Sequence, residues 1–218
     1  MLSVPFSLPA NGYGASALRI LDAAEECFGE YGIDAVSLRQ IAIAAGQANT
    51  AAVQYHFGSK AGLMNAIFLH RLPDIEQRRQ QLSQALDPQQ RRQARALLRI
   101  IFQPIWEVRN RHGRPGYALF LRRLNNVRAM PVGWTMASQA APVTLATVAS
   151  LRDCMPGISA AAQDFRILLI ATTMFDAFWK ADQIRADAAS SALLISTALD
   201  MGCAAVQCAA DVGDDLWL

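Results

Sequence analysis

The chain has 218 residues, of which 53% are hydrophobic and 17% are charged, and its formal net charge is +2. A chain of this length can bury a core, and this composition excludes an intrinsically disordered protein. The charge is uneven, because residues 1–70 carry −2, residues 76–128 carry +9 and residues 129–218 carry −5. The total charge therefore does not indicate a nucleic-acid binder, and the many apolar residues predict a buried oligomer interface or an apolar cavity.

The N-terminus, the cysteines and one apolar stretch bear on localisation. Residues 1–14 are rich in Pro, Gly and Asn and are predicted to be a flexible leader. Residues 1–17 lack the charged start and apolar run of a signal peptide. The stretch 189–210 is apolar but contains Asp200, so a buried helix is preferred to a membrane span. We expect a cytoplasmic protein that does not bind membranes. Free buried thiols are expected at four positions that lack CxxC spacing, Cys27, Cys154, Cys203 and Cys208.

The predicted secondary structure is helical almost throughout, and the first two helices have clear boundaries. The first is predicted at about 16–31, with Ser16 as its N-cap and Gly32 as its C-terminal stop. The second begins at Ser37, whose spacing to Gln40 is that of a capping box, and ends at Gly46.

The next two helices are shorter predictions. One runs over about 49–56, with Asn49 as a possible cap and Val53 as its anchor. Another, capped by Ser59, runs from Lys60 to about residue 72, where Pro73 breaks or kinks the chain. Later helices are placed near 88–110, 117–127, 135–153, 160–181 and 188–212, with Pro104 and Pro142 kinking or splitting two of them. The predicted fold class is all-α, with about nine helices.

The second and third helices are joined by a tight turn containing Gly46, which is typical of a helix-turn-helix unit. Several segments at fixed spacing carry a wider resemblance: Arg19-Ile-Leu-Asp-Ala-Ala, Phe28, Tyr31-Gly32, Ser37-Leu-Arg-Gln-Ile-Ala-Ile-Ala-Ala-Gly46 and Val53-Gln-Tyr-His-Phe-Gly-Ser-Lys60. This ordered set closely resembles the N-terminal domain of TetR-family regulators. The resemblance implies a DNA-binding domain at 15–60 and a helical ligand-binding and dimerisation domain at 61–218.

By this resemblance the third helix reads DNA. Gln54 and Thr50 are expected to meet bases, and Tyr55, His56 and Lys60 are expected to meet phosphates. The alternative for Tyr55 is a place in the core. The stretch from Gly46 to Phe57 is one residue longer than in the short form of the motif, so two registers stay open for the base contacts. The full set of expected DNA-binding residues is Ser37, Asn49, Thr50, Ala51, Gln54, Tyr55, His56 and Lys60.

The second half is expected to pair two copies of the chain and to bind a small molecule. The resemblance implies a homodimer through the last two helices, at Phe165, Leu168, Leu169, Thr172, Phe175, Trp179, Leu194, Thr197 and Met201. An apolar or amphipathic ligand is expected among Phe102, Trp106, Arg109, Phe120, Arg123, Trp134, Met174 and Phe178, although the aromatic residues and the methionine are more often ordinary core than ligand contacts. The arginines of residues 76–128 are mostly expected to be solvated, and one of Arg109, Arg122 and Arg123 could pair with an anionic ligand.

The sequence shows no catalytic motif, so an enzyme is not expected, and neither a metal nor a cofactor is expected. The predicted function is a sequence-specific transcriptional regulator, a repressor released from a palindromic double-stranded DNA operator by its ligand. The alternative is a helical carrier of lipids or hydrophobic small molecules that does not bind DNA.

Overall fold

The computed structural model describes residues 12–125, 141–184 and 188–208. Within these ranges every regular element is helical, and there are nine α-helices and one short 3-10 helix, at Gln90–Arg92. The α-helices are α1 Ala15–Tyr31, α2 Leu38–Ala44, α3 Ala51–Phe57, α4 Lys60–Gln84, α5 Ala94–Glu107, α6 Gly116–Asn125, α7 Pro142–Asp153, α8 Ala160–Ile184 and α9 Ala188–Gln207. The all-α prediction is confirmed.

Several predicted boundaries were wrong. The fourth helix does not stop near residue 72, since α4 continues through Pro73 to Gln84. Pro73 is exposed, so water can bond the carbonyl that loses its donor there. The fifth helix begins at Ala94, after the 3-10 turn, and contains Pro104. Pro142 occupies the first position of α7, where a missing N–H costs nothing, and the part of this predicted helix before residue 141 lies outside the described residues.

The described residues divide into two compact units. The first contains residues 12–75 and 108–125, with Ala141, and the second contains 76–107, 142–184 and 188–208. The first unit is larger than the DNA-binding domain expected at 15–60, because it also includes α6.

The core of the first unit lies where α1 packs against α6 and the helix-turn-helix. Phe28 and Phe120 are fully buried, with ring centroids 6.1 Å apart. A Cβ on Gly29 would stand 3.0 Å from Cβ of Leu119, so glycine allows α1 and α6 to approach closely. This packing fixes α1, on which α2 and α3 rest through Ile41 and Val53, both buried.

The core of the second unit is built by α5 packing against α7 and α9, and by α9 packing against α8. A Cβ on Gly202 would stand 3.1 Å from Leu98 and 3.2 Å from Ile170. Glycine at this point therefore lets α9 lie close to α5 and α8. Glu76 and Arg79 of α4 form a buried ion pair. Glu76 accepts a hydrogen bond from the backbone N–H of Val143 on α7, and Arg79 donates to the carbonyl oxygen of Ile101 on α5, so the pair connects α4 to both helices.

Candidate nucleic-acid interface

The start of α2 has the predicted capping box. The backbone N–H of Gln40 donates to Ser37 Oγ at 3.3 Å, and the backbone N–H of Ser37 donates to Gln40 Oε1 at 2.8 Å. The helix ends with Gly46 at φ +68°, and the N–H groups of Gly46 and Gln47 bond back to Ile43 and Ala42. Both ends of α2 are thus fixed by local bonds. Ser37 itself is engaged in starting the helix.

The third helix is shorter than predicted and begins two residues later. Its N-cap is Thr50, whose side chain makes no capping bond, whereas Asn49 Oδ1 accepts from the N–H of Ala51 at 2.9 Å. Asn49 therefore stabilises the turn before the helix. Val53 is 1% exposed and holds α3 against its neighbours.

Most of the predicted DNA-binding side chains lie on the outside of this unit. Tyr55 is 86% exposed, which overturns the alternative that it is a core aromatic. Five further members of the predicted set are half-buried or exposed along the turn and α3: Asn49, Thr50, Ala51, Gln54 and His56. An exposed tyrosine next to exposed hydrogen-bonding groups is suited to contacting phosphates and base edges.

The turn from α3 to α4 is built from small residues. Gly58 has φ +69°, and Ser59 Oγ accepts from the N–H of Gly62 at 3.0 Å, which is the predicted cap of α4. A Cβ on Gly62 would lie 2.1 Å from the carbonyl oxygen of Phe57, so this position requires glycine. Lys60, predicted to meet phosphate, places Nζ 5.8 Å from the ring centroid of Phe28.

The acidic side chains of α1 are paired within the first unit. Arg71 donates to Glu25 Oε2 at 2.7 Å and to Asp22 at 3.3 Å, and Glu25 is 1% exposed. Arg111 donates to Glu26 and Arg114 to Glu30. Burial raises the pKa of the Glu25 carboxyl, and the hydrogen bonds from Arg71 oppose this rise.

These pairs show how the negative charge of residues 1–70 is compensated in the fold. Across residues 12–75 and 108–125 there are nine Lys or Arg and six Asp or Glu side chains, a net +3. Arg111 and Arg114 are thus paired with α1, and are not merely solvated as the sequence led us to expect. Arg123 likewise donates to the carbonyls of Gly29 and Glu30. The complementary charges of α1 and the arginine-rich segment were the sequence feature that could have indicated their contact.

An open pocket of about 360 Å³ lies between the second half of α1 and residues 110–119. Its lining includes Glu26, Glu30, His112 and Arg114, and its carboxylates are engaged by the two arginines already described. Glu26 Oε1 accepts no hydrogen bond among the described residues and lies 3.8 Å from His112 Nε2.

Comparison with known proteins agrees with this arrangement. Residues 20–67 match the family described as bacterial regulatory proteins, tetR family. Residues 20–67 therefore carry the N-terminal domain of the tetR family of bacterial regulatory proteins. The matched segment contains α2, α3 and the start of α4, so the exposed side chains of α3 lie on the family's DNA-binding helix-turn-helix.

Two solved TetR-family structures share the fold. PfmR from Thermus thermophilus is 17% identical with a TM-score of 0.52, and the match covers 84% of this chain and 96% of that one. SmeT, the repressor of the Stenotrophomonas maltophilia multidrug efflux pump SmeDEF, is 20% identical with a TM-score of 0.51, covering 93% and 98%. Among curated proteins none matches the sequence. At these identities the likeness concerns the fold.

The residues predicted for dimerisation lie mostly on an exposed apolar face of the second unit. Phe165 is 66% exposed, Leu169 65% and Met201 59%, while Leu168, Thr172, Trp179, Leu194 and Thr197 are half-buried or exposed. Phe175 instead packs into the core of this unit, with its ring 5.9 Å from Phe102. It is therefore removed from the predicted interface set.

The last helix, α9, is long and apolar enough to cross a membrane by length and composition, with a mean hydropathy of 1.5. Within one copy of the chain 22% of the 18-residue window is buried, so the preference for a buried helix over a membrane span stays a prediction. One such helix is weak evidence for a membrane protein. The four cysteines are free, as predicted, but none is fully buried.

The predicted ligand residues fall into separate parts of the chain. In the second unit the rings of Trp106 and Phe178 stack at 5.1 Å, and Phe175 lies between Phe178 and Phe102, at 6.4 and 5.9 Å. Met174 is buried in the same unit. Arg109, Phe120 and Arg123 belong to the first unit, in which Phe120 is core. Trp134 lies outside the described residues. The structure thus connects three of the eight predicted residues, Phe102, Trp106 and Phe178, through ring contacts.

Proposed function

We propose that this protein is a homodimeric repressor that binds a palindromic DNA operator through α3 and releases it when a small apolar or amphipathic molecule binds. The observation that supports this most directly is the exposure of Gln54 and Tyr55 on a short helix whose opposite side is anchored by buried Val53. A side chain of the size of Tyr55, 86% exposed to water, is typical of a binding surface.

The chemistry of α3 fits a major groove. Gln54 can make two hydrogen bonds to adenine, and Thr50 can offer a methyl group to thymine. Tyr55 and His56 can donate to phosphate oxygens, which positions the helix without reading sequence. Ala51 adds little bulk at the start of the helix, so that the backbone can come close to the bases.

Two copies are required because one short helix contacts few base pairs. The exposed residues Phe165, Leu169 and Met201 supply an apolar surface on α8 and α9 that a second copy would cover. Among the solved neighbours, SmeT is itself a repressor, which supports repression as the mode of regulation.

We place the ligand at the aromatic residues of the second unit, where Trp106 stacks on Phe178 and Phe175 lies between Phe178 and Phe102. Met174 is buried on the same helix as Phe178. Aromatic and thioether side chains bind apolar molecules well. A ligand that prefers a dimer geometry with mis-spaced copies of α3 must weaken DNA binding by its differential affinity for the two geometries. Helix α4 carries residues of both units and is the proposed link between them.

DNA binding is tested by selecting duplexes from a random library with the full-length protein and measuring their affinity by fluorescence anisotropy. A palindromic consensus is expected. Gln54→Ala should weaken binding by about 1–3 kcal/mol and relax specificity at one position per half-site. Tyr55→Ala should weaken binding to all sequences alike. Tyr31→Ala, which removes another exposed tyrosine of the same unit, is the matched control.

The ligand step is tested by titrating the protein–operator complex with compounds that shift its melting temperature. Release with a coupling of about 1–3 kcal/mol, roughly 5–150-fold in affinity, is expected. A compound that binds the protein but leaves operator affinity unchanged would count against release. A protein that selects no duplex, and whose ligand binding ignores Gln54→Ala and Tyr55→Ala, would be a carrier instead.

A further inference from the structure

The orientation of α3 depends on few contacts. The helix has seven residues, and Val53 is its fully buried side chain. A helix this short is not stable alone, so its direction must be set by the groups that pack against its ends. Its start is ordered by Asn49. Its end, directly after Tyr55 and His56, is Phe57.

Tyr13 contacts that end from outside α1. It precedes Gly14, the N-cap of α1, yet its ring is half-buried. Its centroid lies 5.8 Å from the ring of Phe57 and 6.0 Å from that of His70 on α4, the latter edge to face. Both separations are typical of attractive aromatic pairs. Tyr13 therefore links the last residue of α3 to α4.

Phe57 is also held through its backbone. Its carbonyl oxygen occupies the space that a side chain at position 62 would need, so the start of α4 packs directly against this carbonyl at Gly62. The rings of Tyr55, His56 and Phe57 follow one another at 5.1 and 5.9 Å. A shift of Phe57 must therefore move the two exposed rings before it.

We propose that Tyr13 is a positioning residue that fixes the C-terminal end of α3 through the ring of Phe57 and so sets the direction in which Tyr55 and His56 face DNA. The inference rests on the proposed DNA binding for its consequence, but the contact itself can be tested without DNA. The ring of Tyr13 positions α3 and its hydroxyl does not, because Tyr13 contacts Phe57 and His70 through its ring. Phenylalanine at this position should therefore serve as well.

The experiment compares Tyr13→Ala, Tyr13→Phe and the control Tyr31→Ala in the full-length protein. Hydrogen exchange without DNA is the first readout. In Tyr13→Ala the amides of residues 54–58 should exchange about tenfold faster, corresponding to the loss of an aromatic pair, while the amides of α1 keep their rates. Tyr13→Phe and Tyr31→Ala should exchange as the wild type does.

The second readout is the rate at which each variant leaves a duplex selected by the wild-type protein. Tyr13→Ala should dissociate about tenfold faster, with Tyr13→Phe restoring the wild-type rate. Unchanged exchange at 54–58, or equal acceleration across the whole first unit, would overturn the proposal, because Tyr13 would then be inert or merely stabilising. If the wild type selects no duplex, the proposed function fails, and the exchange data still decide the role of Tyr13.

Discussion

The two units of this protein differ in what they leave in contact with water. In the first unit the acidic side chains of α1 are paired with arginines, and Tyr55 projects from α3, whose other exposed side chains are polar or small. Among the described residues, seven large hydrophobic side chains are exposed in the second unit against three in the first, and the seven include Phe165, Leu169, Leu193 and Met201. This difference is what the proposed roles require, because DNA binding needs a polar surface and dimerisation needs an apolar surface that a second copy covers.

The largest expected effect concerns the buried ion pair of the first unit. Arg71→Ala would leave Glu25, which is 1% exposed, without its cationic partner, and should lower the free energy of unfolding by about 3–5 kcal/mol. Urea denaturation followed by circular dichroism measures this loss. Arg78→Ala is the matched control, since Arg78 also donates two hydrogen bonds to the carboxylate of one glutamate, Glu107, but on the exposed surface of the second unit. Equal losses in the two variants would show that burial does not distinguish the pairs.

The next effect tests the apolar face of the second unit. Leu169→Glu would place a carboxylate where the partner copy is proposed to pack, and should weaken dimerisation by about 3 kcal/mol, more than 100-fold in Kd. Sedimentation equilibrium measures it. Leu145→Glu makes the same change on α7 at a leucine that is 45% exposed and lies outside the proposed interface. A Leu169→Glu protein that stays as dimeric as the control would move the interface elsewhere.

A smaller effect on stability distinguishes the start of α2 from the start of α1. Ser37→Ala removes the capping box of α2 and should cost about 1 kcal/mol of stability. Ser16→Ala should cost much less, because Gly14 and not Ser16 is the N-cap of α1. Thermal unfolding of both variants is the measurement. If Ser16→Ala proved the more damaging, the start of α1 would be the one predicted from the sequence.

These cases show why local features could be predicted and others could not. The capping box at Ser37, the stop at Gly46 and the cap at Ser59 involve residues within a few positions of each other, so their spacing alone specifies the bonds. The candidate DNA-binding surface followed from the same segment. Pro73 was predicted to break or kink the helix, but it is exposed and α4 continues through it. Exposure is a property of the folded chain, so the local sequence could not indicate it.

Long-range packing explains the remaining differences. Phe120 was grouped with Phe102 and Trp106 by residue type, yet α6 packs on α1, where Leu119 meets Gly29. Phe175 fits the helical spacing of the exposed face of α8 but points at Phe102. Tyr13 was assigned to a leader because proline and glycine surround it, and only the fold brings it to Phe57. Periodicity identifies the side of a helix but not which neighbour covers it.

The smallest expected effect is a pH dependence confined to the first unit. Burial, and secondly the charge of Arg71, lower the pKa of His70, whose ring contacts Tyr13. Because the unfolded chain binds the proton more tightly, the neutral ring contributes stability that is present above the ordinary histidine pKa and is lost as the pH falls towards the lowered value. The wild type should therefore lose more stability than His70→Gln between about pH 7.5 and about pH 5.

The raised pKa of Glu25 acts in the opposite sense but is common to both proteins, so it cancels in the difference. Urea midpoints across this range measure that difference, and identical pH profiles would mean that His70 takes up its proton as easily in the fold as in the unfolded chain.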